Sequence, residues 1–187
     1  MQKKREELEG EYQKIRKNTQ TELLNKELYD KRFNFLIHGL FEDSTTAWET
    51  KSTTQKIFKE FLIEGLKIEN EEDIKYVDVH RLPQDPVYSE SGIKRNRPVI
   101  VKLSDSFSKE KFCSSFKNLK NFNNARKTEK ASKPYVFITN HLPKELQHQR
   151  RLLMPAFKKA KEENKKCQWK IINAESCLFI DGIKYNM

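Results

Sequence analysis

The residues of this chain best suited to chemistry are cations set at short intervals. Arg150 and Arg151 are adjacent, and Lys158, Lys159 and Lys161 follow on later turns of a helix predicted from Glu145 to about Glu163. A guanidinium is a planar fork that meets phosphate oxygens through parallel N–H bonds, so two arginines on one helix can grip a polyphosphate backbone. The same residues also fit a solvated helix face with an ion pair to Glu145. A second group, Lys94, Arg95, Arg97 and Lys102, surrounds a strand predicted at Pro98–Leu103. Cations pointing outward from a central strand would stand where a polynucleotide crosses; the plainer alternative is an exposed charged loop. Lys165, Lys166, Lys170 and Lys184 could extend the track.

Other chemistry finds no support. The histidines (His38, His80, His141, His148) and cysteines (Cys113, Cys167, Cys177) lack zinc-finger or zinc-knuckle spacing. There is no G-x-S-x-G, phosphate loop or H-E-x-x-H, and His148 beside Arg150 has neither a nucleophile nor paired carboxylates for company. The expectation is a non-enzymatic chain with no catalytic residue, metal or cofactor. An odd number of scattered cysteines fits a reducing compartment.

Charge points the same way. The 187 residues carry 37 Lys+Arg against 27 Asp+Glu, a net +10. Residues 1–30 are balanced and residues 31–90 carry net −4, whereas residues 91–130 hold 11 basic and 3 acidic side chains and residues 131–187 hold 11 and 5. A surface so biased is suited to a polyanion, most often nucleic acid; lysine used for solubility is the alternative. The 12 Phe argue against disorder. No apolar run approaches the ~20 residues that span a bilayer, and the charged start, Met1 to Glu11, reads as no signal peptide.

These side chains must be held by folded elements. Residues 1–30 read as one charged helix with Leu8, Tyr12 and Ile15 at heptad spacing and Leu24 and Leu28 resuming after a slip. So short a seam is marginal alone and suits the end of a coiled coil, or else a helix packed on its own domain. Strands at Phe33–Ile37, Ile74–Leu82, Pro98–Leu103 and Tyr135–Thr139 alternate with helices capped by Ser52 or Thr53 and starting at Ser106. The order β-α-β-β-α-β predicts an antiparallel four-stranded sheet with two helices on one face. Asn121 to Lys133 reads as a basic polar loop. Beyond Pro143 come the helix, kinked at Pro155, and strands at Trp169–Ile172, Cys177–Ile180 and Ile183–Tyr185, with Asp181-Gly182 as a turn. The fold class is thus α+β: a coiled-coil helix (1–30), a β-α-β-β-α-β domain (31–141) of the order that small enzymes, metal carriers and RNA-recognition modules share, and a small α+β domain (142–187).

In that order these parts resemble the first open-reading-frame protein of LINE-type retrotransposons. The resemblance rests on Arg32, Asn34, Ile37 and Gly39, on Arg81, on Arg97 through Lys102, on Arg150-Arg151 with Pro155, Phe157 and the lysines that follow, and on Leu178-Phe179-Ile180 with Gly182 through Tyr185. Leu36 and Asn173 depart from it, standing where a basic and an aromatic residue are expected. It implies a homotrimer, joined through the coiled coil, that coats its own RNA into a particle and acts as a nucleic-acid chaperone. Basic side chains of both globular domains would line a cleft holding the RNA, and by position Arg32, Asn34, Arg81, Arg97, Arg150 and Arg151 inherit that role. The full candidate set adds Lys94, Arg95, Lys102, Lys158, Lys159, Lys184 and Tyr185. Partners would be single-stranded RNA, with single-stranded DNA second, and further copies of the chain; no membrane is involved. Its place would be cytoplasmic ribonucleoprotein particles, with the nucleus as a second site.

Base reading sets the last expectation. RNA-recognition sheets stack bases on aromatics of their first and third strands. The third strand here has none, and Phe33 and Phe35 share a face with Ile37. If that face meets the helices, no stacking platform remains, and binding should follow strand length and salt with little regard for sequence. A monomeric sequence-specific RNA-recognition protein and a coiled-coil protein-interaction module stay open as alternatives.

Overall fold

The computed structural model describes residues 2–42, 49–83, 96–128 and 134–186; Lys94 and Arg95 lie outside them. It is an α+β fold with a long N-terminal helix and two antiparallel sheets. The chain divides into a central unit, residues 32–141, and a terminal unit formed by residues 1–31 together with 142–187.

In the central unit, β1 (Asn34–His38), β2 (Tyr76–Arg81), β3 (Val99–Leu103) and β4 (Phe137–Asn140) form one sheet in the order β2-β3-β1-β4. Strands β1 and β3 obey a period of two. Phe35 and Ile37 of β1 and Val99, Val101 and Leu103 of β3 are buried, while the residues between them face the other way. A bulge at Val77 leaves Tyr76 opposite Leu103 on the core side and Asp78 opposite Lys102 on the outer side. Helix α2 (Lys51–Glu64) buries Thr54, Phe58, Phe61 and Leu62, the stripe expected of a helix resting on a sheet. Its cap is Thr50, whose side chain accepts from the Thr53 amide, and not Ser52 or Thr53. Helix α3 (Ser106–Ser114) is capped by Asp105 and inserts Phe112, which meets Phe35 edge-on at 5.2 Å between centroids.

The loop predicted over Asn121–Lys133 is instead helical through Thr128; residues 129–133 lie outside the described residues. After a 3₁₀ turn (Ser115–Asn118), α4 runs from Leu119 to Thr128. Its polar composition concealed two anchors. Phe122 packs on the core against Phe61, and buried Asn123 exchanges two 2.8 Å hydrogen bonds with the backbone of Val136, leading the chain into β4. Gly39 completes that junction: its φ is +79°, and a Cβ there would collide with the Tyr135 carbonyl.

In the terminal unit, α1 spans Gln2–Asp30, with Leu8, Tyr12 and Ile15 exposed and Leu24 and Leu28 half-buried. Helix α5 (Lys144–Glu162) buries Leu146, Leu153 and Ala160, each seven residues from the next and so on one face. It covers a three-stranded sheet of β5 (Cys167–Ile172), β6 (Glu175–Ile180) and β7 (Ile183–Lys184). Both hairpin turns, Asn173-Ala174 and Asp181-Gly182, hold two successive residues at positive φ, which matches the twist of the flanking strands. Gln149 and Arg150 fasten the helix to β6: the Ser176 amide donates to Gln149 Oε1 at 2.7 Å, and Arg150 Nε donates to Ser176 Oγ at 3.1 Å. All three cysteines are free thiols.

Candidate nucleic-acid interface

Helix α5 places its cations in two rows. Arg151 and Lys158 are seven residues apart, so they project from nearly the same side of the helix, and both are exposed. Neither has an ion-pair partner among the described residues. Next to them, Arg150 lies half-buried with its guanidinium carbon 5.2 Å from the ring centroid of Trp169. Trp169 on β5 stacks on Phe157 at 5.7 Å, and the Lys161 ammonium stands 5.9 Å from the Phe157 ring. The row therefore reads cation, indole, phenyl, cation. Burial lowers the Arg150 pKa from its ordinary value, but a guanidinium remains charged at any physiological pH. Arg150 therefore serves the packing of α5 on β6 as well as the charge of this face, whereas exposed Arg151 and Lys158 serve the charge alone.

Lys159, Lys184 and Tyr185, taken singly from the sequence, meet in an open cleft of about 440 Å³ where the end of α5 faces β7. Lys165 joins them, bound at 2.6 Å to Glu163. That pairing holds the Glu163 carboxyl below its ordinary pKa and the Lys165 ammonium above its own. On the outer side of the sheet, Lys170 lies 4.7 Å from the ring of Phe179, whose strand neighbour is Lys184.

The central unit divides the remaining candidates. Arg81 is a correction. Its side chain is only 2% exposed, and its donors are spent inside the protein. Nε and Nη2 reach the two oxygens of Glu49 at 3.1 Å each, Nη1 donates to the carbonyls of Arg97 at 2.8 Å and Leu40 at 3.3 Å, and Nη2 also donates to the Phe41 carbonyl. A guanidinium held so completely closes one end of the sheet and has nothing left for a phosphate. Arg97 is part-buried and drawn inward through Nε, which donates to Glu42 Oε1 at 2.6 Å, while its backbone amide donates to Oε2 at 2.8 Å. Burial raises the Glu42 pKa, but the Arg97 bonds and the charges of Arg97 and Arg81 outweigh it and leave the carboxyl below its ordinary value. Arg32 is exposed, its guanidinium 4.5 Å over the ring of Phe33. Lys102 and Asn34 lie opposite one another on the outer sheet face. Lys102 is exposed, and Asn34 Oδ1 is buried without a hydrogen bond.

The expectation of an outer face without aromatics fails, although its premise holds. Phe35 does face the helices and β3 has no aromatic. But β1 turns His38 outward, and its register partner on β4 is Phe137. The two rings stack at 4.4 Å between centroids and 7° between planes. His38 is the one outward residue of β1 with a ring, a fact the sequence holds; that β4 lies beside β1 is visible only in the folded sheet.

Among the described residues no helix is long and apolar enough to cross a membrane, and no group of three or more His, Cys, Asp and Glu side chains could hold a metal ion. A scan against protein-family models finds no match to this chain, and a search of curated proteins finds none either.

Proposed function

We propose that the chain is a non-enzymatic single-strand nucleic-acid-binding protein of the LINE first-reading-frame type, which coats RNA into a ribonucleoprotein particle and acts as a nucleic-acid chaperone. The observation that carries this reading is the α5 face, where exposed Arg151 and Lys158 flank the row Arg150, Trp169, Phe157 and Lys161. Cations neutralise phosphates without regard to sequence, which suits a flexible strand of any sequence. The strand order β2-β3-β1-β4 supports reading residues 32–141 as an RNA-recognition-like module. The uncovered seam of Leu8, Tyr12 and Ile15 supports α1 as the end of a homotrimeric coiled coil. Linking modules in this way raises apparent affinity by ~10²–10⁴ without new contacts, which suits a coat protein whose single sites are weak.

The test is a titration of equal-length single-stranded RNA, single-stranded DNA and duplex at several salt concentrations. Binding should rise with strand length, fall steeply with salt and favour single strands. Absence of salt-dependent binding would sink the reading, and association with an acidic protein in its place would favour the interaction-module alternative.

A further inference from the structure

We infer that the β1–β4 edge of the central sheet carries a base-stacking site formed by Phe137 and His38 with Tyr135. The inference rests on the nucleic-acid-binding reading and deepens it by naming where an unpaired base sits. Phe137 is 45% exposed and Tyr135 59% exposed. Val136 between them is fully buried, so the alternation is fixed and the two rings are held on the outer side. His38 backs Phe137 as a parallel ring and is itself held by Thr139, whose Oγ1 lies 3.3 Å from Nε2. The platform is therefore assembled before any ligand arrives, and its free side is an aromatic face of the width a base stacks on.

The surroundings select the occupant. On the same sheet face the stack is followed along β1 by Leu36 and then by Asn34. Opposite Asn34 stands exposed Lys102, a cation for a neighbouring phosphate. An apolar peptide would use the rings but would leave the Lys102 charge unanswered. A nucleotide strand uses both: base on ring, phosphate to ammonium.

The experiment uses the full chain and fluorescence anisotropy with a single-stranded RNA and an abasic strand of the same length. Phe137→Ala should weaken binding to the normal strand roughly 5- to 150-fold, leave its salt slope unchanged because no phosphate contact is lost, and leave the abasic strand unaffected. Phe137→Trp should restore affinity. Photo-crosslinking of 4-thiouridine RNA to the unaltered chain, mapped by mass spectrometry, should mark the peptide containing Phe137 and needs no variant to fold. If the unaltered chain binds RNA while Phe137→Ala binds it equally well and the crosslink falls elsewhere, the stacking site is overturned alone. Equal losses on normal and abasic strands would assign Phe137 to scaffolding and also overturn it. If the unaltered chain binds no RNA, both this inference and the reading beneath it fall; capture of an apolar peptide by the same rings would do the same.

Discussion

Replacing Arg81 by Met should unfold the central unit far more readily while sparing the binding surface. The methionine fills much of the same space, so the loss is of charge and donors. Glu49, whose side chain is fully buried, would retain among the described residues only the Thr54 hydroxyl, 2.6 Å from its Oε1. The Leu40 carbonyl would retain the Asn96 amide at 2.9 Å, but the bonds from Arg81 to the Phe41 and Arg97 carbonyls would go. Removing one partner of a buried ion pair typically costs ~3–5 kcal/mol, because a charge is left without compensation. Phe41 is exposed, so water can reach this end of the network and the lower half of the range applies. At about 4–8 °C per kcal/mol for a domain of this size, the melting temperature should drop by more than ~10 °C. Circular dichroism melts check this. RNA affinity measured well below the transition should match the unaltered chain. Arg81→Met combined with Glu49→Met should recover most of the loss, since a neutral pair of similar volume needs no compensation. A single variant within ~1 kcal/mol of the parent would refute the buried network. A folded variant that lost RNA affinity and salt slope together would return Arg81 to the phosphate-binding set.

Arg151→Ala with Lys158→Ala should lower the slope of log affinity against log salt by about 1.4 for single strands while leaving the melt unchanged; titrations at several salt concentrations decide it, and an unchanged slope removes both residues from the interface. Burial lowers the pKa of His38, so the unfolded chain takes up that proton more readily than the folded one. The corresponding stability is fully present above the unfolded value near pH 6.5 and falls as pH drops through the folded one; urea melts across pH 5–7.5 should show this, and His38→Phe should flatten that part of the profile. Light scattering on the full chain should give a trimer that Leu8→Glu with Ile15→Glu converts to monomer without change in the melt of either sheet; an unaltered chain that stays monomeric at high concentration would end the coiled-coil assignment.

The sequence by itself determined what depends on near neighbours along the chain. Alternation at Phe35 and Ile37 or at Val99, Val101 and Leu103 dictates which side of each strand is buried. The stripe Phe58, Phe61 and Leu62 dictates a helix resting on a sheet, and Asp181-Gly182 dictates a turn. The crowding of cations on α5 was equally visible, because helical periodicity alone brings Arg151 and Lys158 to one side. Tertiary structure decided which polar residues spend their chemistry inward. Arg81 and Arg97 look from the sequence like any other cations at strand ends. Arg81 became internal, and Arg97 was drawn inward through Nε, because Glu49 and Glu42, distant along the chain, arrive beside them in the fold. Asn123 likewise looks like a loop residue until the backbone of Val136 meets it, and that contact accounts for helix α4. The pairing of His38 with Phe137 joins residues 99 positions apart through a strand order that local pattern does not specify. Local periodicity fixes faces; only the register between distant strands fixes which side chains share a face, and so which of them are free to meet a ligand.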